Sequence, residues 1–223
     1  KTWIFALDNT LYPASSNLFD QISKNMTRYI VRELKVNFHD AYVIQKTYFK
    51  EYGTTMRGLM KNHHIDPNDF LEFVHNIDLS IIEKNNEALN QALERLPGEK
   101  VIFTNGSKRH AENVTSHLGI HTQFKAIFDI VDANFTPKPE KRIYKVLLEK
   151  LNIDPCESVM VEDMARNLIP ASQLGMTTIW IKSDLEWALN GFQSKYIDYT
   201  IDDLTSWIGE TSNLISKKSN DLD

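Results

Sequence analysis

Cysteine is nearly missing from this chain: Cys156 stands alone among 223 residues. No intrachain disulfide can form, and the redox compartment stays undefined. The lone thiol is expected to pack as a small hydrophobe ahead of a strand. Long apolar runs are missing too, since no window approaches the roughly 20 consecutive apolar residues of a membrane span. The start shows no basic stretch followed by an apolar segment and small-residue cleavage site. A cytoplasmic location without a membrane partner is therefore expected. A basic surplus is absent as well. Net charge is −5 with pI near 5.8, and Lys and Arg are scattered rather than striped. Nucleic acid is thus not an expected partner, because duplex binding needs a concentrated basic footprint. A small anionic ligand needs only local positive charge.

What is present is the make-up of a globular protein, 42% hydrophobic and 25% charged, with length for one core domain plus a smaller insertion. No internal repeat or low-complexity segment occurs. The chain is organised around Thr2-Trp3-Ile4-Phe5-Ala6-Leu7-Asp8-Asn9-Thr10-Leu11-Tyr12-Pro13, an apolar strand ending in a polar turn. From Ser15 the period becomes helical, with Leu18, Ile22, Met26, Tyr29 and Ile30 on one face. Further helices are predicted over about 40–51, 56–63, after the Asp66-Pro67 start signal, and over about 86–96. Residues 14–93 thus form an expected helical insertion, between core segments 1–13 and 94–223.

After Pro97-Gly98 strands alternate with helices. Strands are predicted at Val101–Phe103, Phe128–Val131, Ser158–Val161, Thr177–Ile181 and, as a short edge, Tyr199–Ile201. Helices are predicted over Ser107–Leu118, Glu140–Leu151, Ala165–Leu174 and Leu204–Ile215, with a polar tail from Ser216 that frays. In the second of these helices, Ile143, Val146, Leu147 and Leu151 are expected to point inward. Repeated βα units imply an α/β fold, a Rossmann-like parallel sheet with helices on both faces.

Polar residues cluster where strands end. Asp8 and Thr10 follow the first strand, Thr104-Asn105-Gly106 the second, Lys138 lies in the loop after the third, and Glu162-Asp163 follow the fourth. Such loops open on one sheet edge, so side chains far apart in sequence converge there. Each cluster alone has an ordinary explanation: a turn aspartate, a polar turn, a solvated lysine, acids at a helix start. Their joint order is the informative part.

That order resembles the four motifs of the haloacid dehalogenase-like hydrolases across essentially the whole chain. The pyrimidine 5′-nucleotidase branch is similar in Asp8–Pro13, Tyr52–Leu59, Ile102–Asn105 and Glu162–Leu168. The resemblance implies an α-helical cap in the insertion, a Mg²⁺ cofactor, and a phosphomonoester substrate, a nucleoside monophosphate, for a monomer or homodimer. By resemblance Asp8 is the general acid/base and, through its backbone carbonyl, a metal contact, joined at the metal by Glu162 and Asp163. Asn9, Thr104, Asn105, Gly106 and Lys138 hold the phosphate, while Arg57 and Tyr52 reach the nucleotide from the cap. Tyr12 is read as core packing, and His75, His110 and His117 as structural.

One position departs from the family pattern. Ala6 stands where the nucleophilic aspartate is expected, and a methyl group forms no aspartyl-phosphate. This chain is therefore expected to be inactive, either as a nucleophile-to-Ala variant or as a natural pseudoenzyme. The otherwise intact motifs favour the first. A sugar-phosphate phosphatase or phosphomutase with the same core is the alternative activity.

Overall fold

The computed structural model describes residues 1–183 and 186–211. Six strands, β1 (Thr2–Phe5), β2 (Glu99–Phe103), β3 (Ala126–Phe128), β4 (Ser158–Glu162), β5 (Thr177–Ile181) and β6 (Tyr199–Ile201), form one sheet. Their order is β3-β2-β1-β4-β5-β6, with every neighbouring pair parallel. The strand order reverses at β1, which is flanked by β2 and β4. Open α/β sheets bind ligands beyond the strand ends at such a switch point. Register keeps those ends level, since Phe5 pairs with both Ile102 and Val161.

The strands are short and apolar because both faces are covered. Successive side chains alternate between faces. Trp3 and Phe5 join Ile102, Val159 and Val161 in one core layer, while Ile4 joins Val101, Phe103 and Met160 in the other.

Between β1 and β2 run α1 (Leu18–Leu34), α2 (Phe38–Tyr52), α3 (Thr55–His63), α4 (Pro67–Val74) and α5 (Glu87–Arg95). The side chains of Asn37, Thr54 and Asp66 accept backbone N–H bonds at the starts of α2, α3 and α4, which satisfies amides that lack helical partners. The first four helices share their own core of Ile22, Tyr29, Ile30, Met56, Leu59, Phe70 and Val74. The Tyr29 ring meets Phe70 edge-on at 5.0 Å. Helix α5 packs elsewhere: Leu89, Ala92 and Leu93 belong to the sheet layer of Trp3 and Phe5.

Then come α6 (Lys108–His117), α7 (Lys141–Leu151), α8 (Ala165–Gln173) and α9 (Glu186–Leu189), and a helix over 204–211. Residues 212–215 of the predicted last helix, and the tail from Ser216, lie outside the described residues. Strand β3 lies earlier than its predicted span. Asp129 is not in the strand because its carboxylate accepts the N–H groups of Lys108 and Asp132, making a turn. Helix α7 buries Tyr144 and Leu148 beside Ile143 and Leu147, leaving Val146 and Leu151 half-buried. Cys156 is exposed rather than packed, because it sits in the turn Pro155–Glu157 that Asp154 caps. Among the described residues no helix is long and apolar enough to cross a membrane.

Candidate functional site

The backbone leaves β1 without leaving the sheet at once: the Ala6 N–H still donates to the Val161 carbonyl at 2.9 Å. The Leu7 carbonyl then accepts from Thr10 and Leu11 at 3.2 and 3.0 Å, closing a tight turn. Asn9 takes φ of 57° there, a left-handed conformation that asparagine tolerates. The turn carries Asp8, whose Oδ1 accepts the Tyr12 hydroxyl at 2.7 Å and lies 2.8 Å from His110 Nε2. Burial works to raise the Asp8 carboxyl, but charge on His110 and bonds from His110 and Tyr12 outweigh it. Asp8 is held below the ordinary carboxylate value.

Beyond β2, Thr104 Oγ1 accepts the Gly106 N–H at 2.9 Å. Gly106 has no room for a side chain at ease: an added Cβ would sit 3.2 Å from His110 Cδ2 and 3.3 Å from Thr104 Oγ1. Asn105 Oδ1 accepts the Lys138 N–H at 2.8 Å, tying the second loop to the third. Lys138 Nζ then reaches inward, donating to the Phe103 carbonyl at 2.8 Å and to Glu162 Oε1 at 2.9 Å.

Glu162 is fully engaged. Its Oε1 also accepts from the Asn167 amide, and its Oε2 accepts the Asp163 N–H at 3.0 Å. Burial opposes its charge, yet Lys138 holds it below the usual value. Asp163 is the reverse case. Burial, the neighbouring Glu162 charge and a hydrogen bond with Glu162 push its carboxyl well above the usual range, and it accepts a long 3.4 Å bond from Thr10.

These groups line one cavity of about 860 Å³ between the strand ends and helices α1 to α4. Ala6, Asp8, Asn9, Thr104, Asn105, Gly106, Lys138, Glu162 and Asp163 all contribute to it. Two expected contacts do not. Arg57 pairs with Glu140 of the loop before α7 at 2.8 Å, and Tyr52 packs against Tyr48 with Lys61 over its ring. Neither lines the cavity. Other residues of the segment bounded by Gly53 and Gly58 do line it, Gly53 to Met56 among them; Gly53 gives its carbonyl to Arg166, and Gly58 leaves space for Tyr48.

Of the expected metal contacts (the Asp8 carbonyl, Glu162 and Asp163), Glu162 has its carboxylate oxygens engaged by Lys138, Asn167 and the Asp163 N–H. Among the described residues no three His, Cys, Asp or Glu side chains gather as a cation site. Asp163 remains, a buried carboxylate under like-charge stress that a divalent cation relieves. Mg²⁺ takes few carboxylates and keeps several waters, a demand that the chemistry of Asp163 fits.

Sequence reasoning missed the histidines. His110, third residue of α6, follows the Ser107 cap, and that spacing swings its ring back over the loops. His75, ending α4, stacks on it with centroids 4.2 Å apart and planes 4° apart. Ser107 Oγ lies 3.1 Å from His75 Nδ1. Burial, then His110, lower His75 to about 3, so its ring is neutral. Tyr12, read as core, is buried but spends its hydroxyl on Asp8.

The family model described as "haloacid dehalogenase-like hydrolase" matches residues 1–175. Phosphate metabolism protein 8 of Saccharomyces cerevisiae is 26% identical over 193 residues, covering 79% of this chain and 60% of that protein. The chain thus spans less than two thirds of that relative. Glyceraldehyde 3-phosphate phosphatase of Pyrococcus furiosus is 25% identical over 228 residues, covering 92% of this chain and 90% of that protein. A solved HAD phosphatase from Thermococcus onnurineus matches with a TM-score of 0.63 at 19% identity, covering 96% of this chain and 97% of its own. At that identity the likeness is one of fold.

Proposed function

This chain belongs to the haloacid dehalogenase-like hydrolases, and from that premise we propose that its cavity binds a phosphomonoester, which the present sequence holds without hydrolysing. One observation carries the reading: Asp8, Thr104, Lys138 and Asp163, from four separate loops, surround Ala6 in a single cavity.

A phosphate monoester dianion needs donors around its oxygens and charge to match it. Thr104 and the amides after it supply neutral donors. An ammonium has three hydrogens, and Lys138 commits two of them, to Phe103 and Glu162. The third is left for a phosphate oxygen. Mg²⁺, held by Asp163 and the Asp8 carbonyl, would supply further charge neutralisation. Asp8, oriented through one oxygen by Tyr12 and His110, is assigned the transfer of a proton to and from the leaving oxygen. Position 6 lacks the attacking carboxylate, so no covalent intermediate forms. Losing that carboxylate also removes a negative charge beside the bound phosphate, which favours holding it.

For the organic part, the first reading is a nucleoside 5′-monophosphate, pyrimidine by resemblance. The cavity lies within the roughly 300–1,000 Å³ usual for small-molecule sites, and Phe49 and Tyr42 form part of its wall, with Arg166 and Lys46 over their rings. The second reading is a sugar phosphate, supported by the name of the Pyrococcus relative. We assign the cap to α1 to α4 and place α5 with the phosphatase core, on the packing of their apolar faces.

Calorimetry with UMP, CMP, ribose 5-phosphate and inorganic phosphate, with and without Mg²⁺, tests the reading. Binding without phosphate release is expected. Restoring Ala6→Asp should give release that EDTA abolishes. A protein that binds none of these and stays inert as Ala6→Asp would end the proposal.

A further inference from the structure

We propose that the mouth of this cavity is a second anion subsite, built from Lys46, Lys50 and Arg166, so that the preferred ligand is a phosphomonoester bearing another phosphate or carboxylate. The inference rests on the reading that the sheet edge takes the phosphoryl group, and it adds the class of ligand.

Four cationic side chains line the cavity: Lys46, Lys50, Lys138 and Arg166. Burial separates them into floor and mouth. Lys138 is buried at 3% exposure, whereas Lys46 and Lys50 are exposed on α2. The floor charge is already matched, since Lys138 Nζ lies 2.9 Å from Glu162. Among the described residues, none of the other three has a carboxylate within ion-pair distance. The acidic group facing them from the cap is Asp20, which also lines the cavity and acts on Lys46 at longer range. Glu162, already paired with Lys138, acts on Arg166 at longer range, so two distant carboxylates answer three cations, in a chain whose net charge is −5.

The arrangement is specific in shape as well as sign. Lys46 and Lys50 are four residues apart on one helix, hence on one face, where like charges repel. Repulsion of that kind is relieved when an anion sits between the two ammonium groups. Arg166 approaches from the start of α8. Its guanidinium lies over the Phe49 ring at 4.6 Å and donates through Nη2 to the Gly53 carbonyl at 3.0 Å. Its Nε is buried with no hydrogen-bond partner, a cost unless a ligand meets it. A planar fork held on two sides with a donor to spare suits phosphate or carboxylate oxygens. The phosphoryl group on the floor has its own donors in Thr104 and Lys138. The mouth is left to read what lies at the other end of the ligand.

Paired ligands that differ by one anionic group test this. Calorimetry would compare fructose 6-phosphate with fructose 1,6-bisphosphate, and uridine 5′-monophosphate with uridine 3′,5′-bisphosphate, on the full chain at low and high salt. In at least one pair the doubly charged member should bind roughly tenfold tighter or better, the scale of one charge-assisted contact. Salt should shrink the gain, and in Lys46→Gln/Lys50→Gln the ratio should fall towards one. Both residues are exposed, so folding is not at stake. A ratio near one in both pairs, or a gain untouched by the double substitution, overturns the inference and leaves the phosphomonoester reading standing. Absence of binding by every phosphate, inorganic phosphate included, overturns that reading instead.

Discussion

His110 Nε2 and the Tyr12 hydroxyl converge on the same oxygen of Asp8, at 2.8 and 2.7 Å. Two groups on Oδ1 fix the carboxylate's rotation and leave Oδ2 for the proton transfer proposed above. His110 in turn is backed by the parallel ring of His75, which comes from the helical insertion.

Removing either support should loosen Asp8. Tyr12→Phe deletes one hydrogen bond to a partly buried charged group, for which a loss of about 1–2 kcal/mol is expected. In an Ala6→Asp background, Tyr12→Phe and His110→Gln should each lower kcat, on the order of tenfold or more, with KM little changed. Urea unfolding and phosphate-release kinetics on the same proteins separate the two effects.

Lys138 and Glu162 form a buried pair, with 4% and 1% side-chain exposure. Lys138→Met leaves the Glu162 charge unmatched, and such a break typically costs about 3–5 kcal/mol. Lys138→Met combined with Glu162→Gln should recover much of that loss without restoring phosphate binding. Denaturant melts of the four proteins complete the cycle, and strict additivity would contradict direct coupling.

Asp163 carries a carboxyl pushed well above its ordinary value by burial and by Glu162. A carboxyl raised in the folded state stabilises fully below its unfolded value and loses that contribution as pH rises through the folded one. At neutral pH the metal-free protein is therefore strained there. Asp163→Asn should raise its Tm, by roughly 2–4 °C for each kcal/mol regained, while abolishing the stabilisation that added Mg²⁺ gives the parent. Scanning calorimetry with and without Mg²⁺ reads both.

His75 is lowered to about 3 by burial and by His110, against roughly 6.5 when unfolded. Its contribution is complete above the unfolded value and drains away as pH falls from there towards 3. His75→Phe keeps an aromatic ring against His110 and removes the titration. Between neutral pH and pH about 4.5, the parent should lose more stability than His75→Phe. Equal losses in urea melts would contradict a neutral, buried His75.

Gly58 faces Tyr48, and an added Cβ would lie 2.4 Å from the ring. Gly58→Ala overpacks the contact between α2 and α3, for which roughly 1–3 kcal/mol is expected. Circular dichroism melts would show it, and an unchanged Tm would mean the ring moves aside freely.

Much of the fold is written locally. All-apolar runs of strand length, helical periodicity in the insertion, the Asp66-Pro67 start and the glycine stops each depend on neighbours within a few residues. Polar residues placed directly after apolar runs predicted which loops meet, because parallel strands share one open edge. Errors arose where a side chain had competing local uses. Asp129 looked like strand but caps a turn; Cys156 looked apolar but lies on an exposed turn.

The sequence by itself determined the strand-helix order, the loops that carry polar groups and the absence of a carboxylate at position 6, since these follow from residue type and short-range spacing. Tertiary structure alone decided who those groups face. Asp8 meets His110 across 102 positions, Glu162 pairs with Lys138, and Arg57 pairs with Glu140. Such pairings depend on the angle at which distant loops and helices pack, and no local period in the chain encodes that angle.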